Sequence, residues 1–204
     1  AIADKRGTLG RSGLGAVMGS KRLKAVALKG NIEVPVADPA EAKEMRKRHL
    51  ANIGPRADLI REYGTSGLFE FSCESDDAPC KNWAGIALID FPQFEVLTGP
   101  KVVEKQERRY GCWRCPIACG GIMKENRGEY PYGPDAHKPE YETLAAFGPL
   151  CLNDNPEAIC RLNAICNEAG IDTISVGAVI AFAMECFEKG ILTAEDTGGI
   201  ELSW

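Results

Sequence analysis

Three cysteines stand close together in the middle of the chain, where Cys112, Cys115 and Cys119 follow the spacing C-x2-C-x3-C between two glycines. Thiolates at this spacing on a looped backbone can converge on one soft metal centre. Iron–sulfur clusters are held by four cysteine thiolates, and a structural zinc ion also takes four ligands. Closely spaced cysteine pairs are also common in loops without metal. The stretch therefore indicates a metal centre, with iron–sulfur favoured, and supplies three of its four ligands.

The composition narrows the class of protein. Of the 204 residues, 45% are hydrophobic and 26% are charged, which is typical of a soluble globular protein with a sizeable core. The net charge of −5 argues against nucleic acid as a partner. The longest apolar run, 176–184, is too short to cross a bilayer, so no membrane association is expected. Nine cysteines without an export leader predict a reducing, cytoplasmic location.

The first 20 residues are rich in glycine and include Arg6 and Arg11. Glycines let backbone amides approach an anion closely, and arginine donates forked hydrogen bonds to phosphate. A tight loop packed on a sheet would explain the same residues. Two strands are predicted to follow, at 22–29 and 31–36, and the proline-containing passage 34–39 marks the predicted domain boundary.

After this boundary the helical period dominates. Asp38 is a natural N-cap, with Pro39 in the first helical position and Glu41 completing a capping-box pattern. The fold class is therefore mainly α with a small β portion at the N-terminus. Helices are predicted at 43–53, 56–63, 68–73, from 139, at 156–169, from 173 to 189, and from 193, with a strand at 200–204.

The helix that follows Asp172 is apolar almost all round from 176 to 184, so burial at the centre of the domain is expected. Its N-terminus, with free amides and the small polar residues Thr173 and Ser175, could bind an anion. An ordinary helix cap accounts for the same residues, and the residues alone favour the cap.

Five stretches, in order along nearly the whole chain, resemble the tungsten-containing aldehyde:ferredoxin oxidoreductases. They are the glycine-rich segment 10–25, the cysteine trio with its Cys-Pro-Ile wording, and the segments 139–143, 166–177 and 181–185. The resemblance implies that residues 1–37 are the end of a β-rich, pterin-binding N-terminal domain. It also implies that residues 38–204 belong to a helical middle domain that carries three cluster cysteines.

The cofactors implied by the resemblance are a tungsten (or molybdenum) bis-pterin centre, a magnesium ion joining the pterin phosphates, and a [4Fe–4S] cluster. Cys112, Cys115 and Cys119 match the first three cluster ligands, and the family's fourth ligand lies in a later domain. The 204 residues alone are therefore expected not to assemble a stable four-cysteine cluster. The matching pterin-binding positions are Arg6, Gly7, Arg11, Gly13, Gly15, Asp172, Thr173 and Ser175.

The resemblance also implies a reaction, the two-electron oxidation of a small aldehyde to a carboxylic acid with ferredoxin as electron acceptor. Tyr141 would donate a hydrogen bond to the aldehyde oxygen, and Glu142 would act as base or place the water. A glutamate can act as this base if burial raises its pKa towards neutrality. The family's partnering histidine would lie beyond Trp204, and a homodimer of the full-length protein is compatible with the resemblance.

Two alternatives stay open at this point. The same fold and cofactor could serve a different reaction, such as aromatic-ring reduction of the benzoyl-CoA type. The chain could instead be a non-enzymatic iron–sulfur or zinc-binding module in which the three cysteines are structural. Acidic residues at 140 and 142 could likewise only stabilise the start of a helix.

Overall fold

Helices make up most of the structure, a computed structural model that describes residues 2–4, 7–9 and 11–204, with side chains left undescribed at 4, 7–9 and 56. The described residues form nine α-helices: α1 Leu14–Ser20, α2 Pro39–Ala51, α3 Pro55–Tyr63, α4 Phe69–Glu74, α5 Ala87–Asp90, α6 Gly99–Glu104, α7 Tyr141–Phe147, α8 Pro156–Ala169 and α9 Thr173–Glu188. Short 3-10 turns lie between them at Gly64–Leu68, Lys81–Trp83, Phe94–Leu97 and Pro149–Cys151.

Two small antiparallel hairpins complete the described structure. Strand β1 (Ile2–Asp4) pairs with β2 (Gly7–Leu9), and β3 (Gln106–Tyr110) pairs with β4 (Gly120–Met123). In the second hairpin Tyr110 lies opposite Gly120, and a Cβ at Gly120 would come within 2.4 Å of the Tyr110 ring. The mainly helical fold class with a small N-terminal β portion is confirmed.

The predicted helix ends agree with the observed hydrogen bonds. Asp38 accepts hydrogen bonds from the backbone amides of Ala40 and Glu41 at 2.9 Å, so the N-cap of α2 is confirmed. Gly170 ends α8 with a φ of +67°, a left-handed conformation that glycine adopts without strain. Asp172 caps α9, since its carboxylate accepts a hydrogen bond from the Ser175 amide.

The predicted strands at 22–29, 31–36 and 200–204 are wrong, because the chain is irregular in all three segments. In the first two, Leu28 and Ile32 are 93% and 89% exposed. A strand is stable only when a neighbour satisfies its backbone groups and covers its apolar face, and no described strand pairs with these segments. The helix expected from Thr193 is also wrong, since the chain turns there without completing a helix.

Helix α7 lies within the core, and its residues from Thr143 to Phe147 are all buried. The main buried cluster joins it to α4, to the segment 87–102 and to α8 through large apolar side chains. These include Phe69, Phe91, Leu97, Leu144, Phe147 and Ile159. Helices α7 and α9 approach closely at Gly177, where a Cβ would lie 2.4 Å from the backbone oxygen of Ala146. The two helices therefore pack with backbone nearly touching backbone.

Helix α9 is buried on one face only, which corrects the prediction that it is buried at the centre of the domain. Gly177 and Ala181 are buried against α7 and the Pro149–Cys151 turn, whereas Val179 and Phe182 are 66% and 62% exposed. Within the described residues no neighbour covers this second face. In the same part of the chain no single helix is both long and apolar enough to cross a membrane, although α8 and α9, bent by 119°, meet that criterion as a pair.

Candidate functional site

The three predicted metal-binding cysteines lie on the loop that joins β3 to β4. Cys112 and Cys115 are exposed, and Cys119, directly before β4, is partly buried. The loop opens with a turn in which the Cys115 amide donates to the Cys112 carbonyl oxygen at 3.0 Å. Two residues, Arg114 and Ala118, adopt positive φ angles of 59° and 52°. These left-handed positions bend the backbone sharply after the first and second cysteines.

Hydrogen bonds within the loop favour a thiolate at its centre. Backbone amides of Ala118 and Ile117 donate to the sulfur of Cys115 and lower its pKa. The guanidinium of Arg109 donates to the carbonyl oxygens of the same two residues at 3.2 and 3.3 Å. For Cys119, burial raises the pKa, and the charges of Glu140 and of the other two loop cysteines raise it further. The three sulfurs therefore lie close enough to influence one another.

The donor set fits an iron–sulfur cluster in its chemistry. Three thiols share one loop, and amide N–H groups point at one of the sulfurs, an interaction that also tunes cluster potentials. The three thiols are not arranged around a common metal position in this structure. Among the described residues, no group of three or more His, Cys, Asp or Glu side chains has a geometry that could hold a metal ion. Cys112, Cys115 and Cys119 are brought near one another, but not into a finished site.

The other six cysteines, at positions 73, 80, 151, 160, 166 and 186, are all buried. Burial raises the pKa of Cys73 and Cys160 to about 12 and that of Cys80 to about 11. Such thiols stay protonated at neutral pH, and the thiolate is the form that binds metal. Their burial therefore indicates that Cys73, Cys80, Cys160 and Cys166 pack in the core rather than bind metal.

Of the predicted pterin-binding residues, Arg6 lies outside the described residues and Gly7 begins β2. Gly13 precedes α1 with a φ of +73°, and Gly15 lies within that helix. Arg11 is placed more informatively, because its Nε lies 3.3 Å from the Asp172 carboxylate. Two residues separated by 161 positions, both assigned to the pterin by resemblance, thus form an ion pair.

The start of α9 gathers the remaining pterin-binding candidates. The Asp172 carboxylate accepts hydrogen bonds from the Ser175 amide at 2.8 Å and from the Ser175 hydroxyl at 2.6 Å. Burial alone would raise the pKa of Asp172, but these hydrogen bonds and the Arg11 charge outweigh it and lower the pKa. Thr173 shares a 2.8 Å hydrogen bond with Thr143 of α7. A guanidinium and two hydroxyl groups therefore stand at a helix N-terminus, where an anion is favoured.

Tyr141 and Glu142, the predicted catalytic residues, line an open pocket of about 230 Å³ between α7 and α9. Tyr141 is half-buried; burial raises its pKa and a hydrogen bond with Ser72 opposes this, so its hydroxyl stays protonated at neutral pH. Glu142 is exposed in the structure, so the burial expected for this base is not provided by the described residues. The opposite wall includes Ile174 and Ala178 of α9, next to Thr173.

Sequence reasoning missed the residues that connect the cysteine loop to this pocket. Thr65 donates to the Glu140 carboxylate and accepts a hydrogen bond from the Tyr141 amide at 2.9 Å. Lys138, two residues before Glu140, is buried beside the cysteine loop. The available signal was a lone basic residue directly before the Pro139–Glu142 motif, but only the fold shows that this lysine is buried.

Comparisons with known proteins agree on one family. The family model described as "Aldehyde ferredoxin oxidoreductase, domains 2 & 3" matches residues 40–204. The protein named tungsten-containing aldehyde ferredoxin oxidoreductase is 35% identical over 201 residues in Thermococcus kodakarensis and 36% identical over 201 residues in Pyrococcus furiosus. Both alignments cover 96% of this chain and 32% of the relative.

A relative with a different name is similar over the same region. The aliphatic sulfonate oxidoreductase, WOR-like subunit, of Pyrococcus furiosus is 34% identical over 200 residues, which cover 96% of this chain and 31% of that protein. The chain thus spans about a third of the length of the curated relatives it matches.

Proposed function

The chain belongs to the aldehyde ferredoxin oxidoreductase family, and we propose that it contributes to an enzyme that oxidises an aldehyde to a carboxylic acid at a tungsten bis-pterin centre. Electrons would leave through a [4Fe–4S] cluster to ferredoxin. The observation that carries the proposal is the pocket shared by α7 and α9. Its rim includes Tyr141 and Glu142, and beside it stands the helix terminus where Asp172 pairs with Arg11.

Each group of residues has a distinct task in this proposal. The pterin phosphates and their magnesium ion would be held by Arg6, Gly7, Arg11, Gly13, Gly15, Asp172, Thr173 and Ser175. The polar groups among the described members of this set stand at one helix terminus together with Arg11, which supports the assignment. Cys112, Cys115 and Cys119 would supply three cluster thiolates, and the amide hydrogen bonds that lower the pKa of Cys115 suit a ligand.

The reaction consumes one aldehyde and one water and yields a carboxylic acid, two protons and two electrons. The tungsten bis-pterin centre, when bound, would supply the acceptor for the two electrons. Tyr141 keeps its proton and can donate a hydrogen bond to the carbonyl oxygen, which polarises the carbonyl carbon. The Glu142 carboxylate can take the proton of the attacking water at one of its oxygens. Burial in the complete enzyme would make Glu142 a stronger base.

Several finer points belong to the same proposal. Residues 1–37 would be the end of a pterin-binding domain, and residues 38–204 would form part of the helical domain. The metal would be tungsten or molybdenum. The side chains do not select between the two, because either metal would be bound through pterin sulfurs. A cytoplasmic location and a homodimer of the full-length protein are consistent with a ferredoxin-linked enzyme.

A second reaction on the same scaffold is favoured by one comparison. The relative named aliphatic sulfonate oxidoreductase is almost as similar to this chain as the aldehyde enzymes are. The matched region is therefore shared by proteins named for different substrates. A different reaction in this chain, including ring reduction of the benzoyl-CoA type, would use the same pocket with another substrate. A non-enzymatic zinc or iron–sulfur module would leave that pocket without a use.

The test uses the full-length protein, produced anaerobically. We expect tungsten (or molybdenum) together with iron, and dye-linked oxidation of a panel of aldehydes. Glu142→Gln should lower kcat by about 10²- to 10⁴-fold and leave the tungsten content intact, whereas Glu44→Gln, at an exposed position in α2, should change neither. Near-parent activity of Glu142→Gln would exclude Glu142 as the base. Zinc alone in the purified protein would refute the proposed function, and tungsten without aldehyde oxidation would favour the second reaction.

A further inference from the structure

Lys138 is a buried, charged residue that the proposed reaction does not use. It is 4% exposed, and its Nζ donates a hydrogen bond to the Tyr63 carbonyl oxygen at 2.5 Å. Its backbone amide donates to the Gly121 carbonyl oxygen at 2.8 Å, which fixes the residue against β4, the strand that follows Cys119. Burying an ammonium group costs free energy unless nearby groups stabilise the charge. The groups that surround the Lys138 ammonium therefore indicate which part of the protein its charge influences.

The ammonium group of Lys138 lies next to the cysteine loop. Gly64, with a φ of +74°, packs against both: a Cβ on Gly64 would lie 2.5 Å from the Lys138 Nζ and 2.7 Å from the Cys119 carbonyl oxygen. The cation and the backbone of a proposed cluster ligand therefore meet at one point. A glycine at position 64 is what allows this close approach.

An anion, the Glu140 carboxylate, also lies near this contact. The Glu140 carboxylate accepts a hydrogen bond from the Thr65 hydroxyl, which holds it in place. Thr65 directly follows Gly64, the residue that packs against the Lys138 Nζ and the Cys119 carbonyl oxygen, so the Glu140 carboxylate is held one residue away from that contact. Burial lowers the pKa of Lys138, whereas the charges of Glu140 and Cys119 act against that change. Lys138 therefore interacts electrostatically with both Glu140 and Cys119. Because Lys138 is buried, water weakens these interactions less than it would at the surface.

We propose that Lys138 and Glu140 are positioning residues of opposite effect that set the reduction potential of an iron–sulfur cluster bound through Cys119. The inference rests on the proposed cluster site. Reduction adds one electron to the cluster, so the reduced form is the more negative one. A fixed cation nearby stabilises the reduced form and raises the potential, and a fixed anion lowers it. The partly buried position of both groups makes the effect larger than for a surface charge.

The test is a potentiometric titration of the full-length holoprotein, followed by the EPR signal of the reduced cluster. Lys138→Met removes the charge and keeps the length of the side chain, whereas Lys138→Arg keeps the charge. At the parent's midpoint potential, Lys138→Met should lower the ratio of reduced to oxidised cluster by at least about tenfold, which equals about 59 mV for one electron. Lys138→Arg should stay near the parent value. Lys124→Met, at an exposed lysine just after β4, is the matched control and should cause no shift.

Glu140→Gln gives the opposite sign and an independent check. It keeps an acceptor for the Thr65 hydroxyl and removes the charge, so the midpoint should rise. If Lys138→Met does not accumulate as folded protein, Glu140→Gln alone tests the proposal. An unchanged or lowered midpoint potential in Glu140→Gln then overturns it. An unshifted midpoint in Lys138→Met, or equal shifts in the Met and Arg variants, also overturns it. A parent protein without a [4Fe–4S] signal refutes the cluster itself, whereas a normal signal with unshifted variants refutes only the roles of Lys138 and Glu140.

Discussion

The contact between α7 and α9 allows a sharp test of how the pocket is built. A Cβ at Gly177 would lie 2.4 Å from the Ala146 carbonyl oxygen and 2.8 Å from both its carbonyl carbon and its Cβ. Cβ atoms in proteins essentially never lie within 3.0 Å of another heavy atom, and the backbone atoms of Ala146 cannot rotate out of the way. Gly177→Ala must therefore push α9 away from α7. That movement would also strain the hydrogen bond between Thr143 and Thr173.

The expected magnitude follows from two opposing effects. Inserting a methyl group into a packed contact costs about 1–3 kcal/mol. Replacing glycine by alanine inside a helix returns about 1 kcal/mol. Because the clash at Gly177 is with backbone, we expect a net loss of about 1–2 kcal/mol in the free energy of unfolding. Gly19→Ala in α1 is the matched control, since no described atom beyond its own helical turn and chain neighbours lies within 4 Å of the new Cβ. It should be neutral or stabilising by up to about 1 kcal/mol.

The assay is urea denaturation of the 204-residue chain, followed by circular dichroism under identical conditions. Gly177→Ala should lower the midpoint, while Gly19→Ala should leave it unchanged or raise it. A midpoint for Gly177→Ala at or above that of the parent would refute the described packing of the two helices. Equal destabilisation by both variants would contradict an effect that is specific to the contact between α7 and α9.

Two further predictions concern the helix caps. Asp38→Ala removes two hydrogen bonds from the start of α2 and should weaken that end by about 1 kcal/mol. Because α2 buries none of its residues, the measurement is amide hydrogen exchange, which should become faster in the first turn of the helix. Unchanged exchange would contradict the cap. Asp172 has a pKa below its ordinary value of 3.8 in the folded chain, so its stabilising effect is complete above that pH and is lost as the pH falls through the lower, folded pKa. Asp172→Asn should therefore show a flatter fall in thermal midpoint between about pH 5 and pH 2 than the parent, and parallel curves would refute the role of the carboxylate.

Local features could be predicted from the sequence because their physical causes are local. Asp38 and Gly170 mark helix ends through hydrogen bonds and backbone angles within a few residues, and the structure confirms both. The strands expected at 22–29 and 31–36 failed for the opposite reason, since a strand depends on a partner that alternation along the sequence does not supply. The prediction that α9 is buried at the centre of the domain was wrong for a similar reason, because an apolar composition does not reveal which faces of a helix neighbouring elements cover.

The candidate site divides in the same way. The sequence by itself determined the cysteine loop and the residues at the start of α7, because ligand spacing and family motifs are contained in short stretches. Only the tertiary structure decided that Arg11 meets Asp172 across 161 positions, and that Lys138 is buried beside Cys119 rather than exposed in a loop. Both depend on long-range packing, which brings charges together at distances that no local pattern encodes.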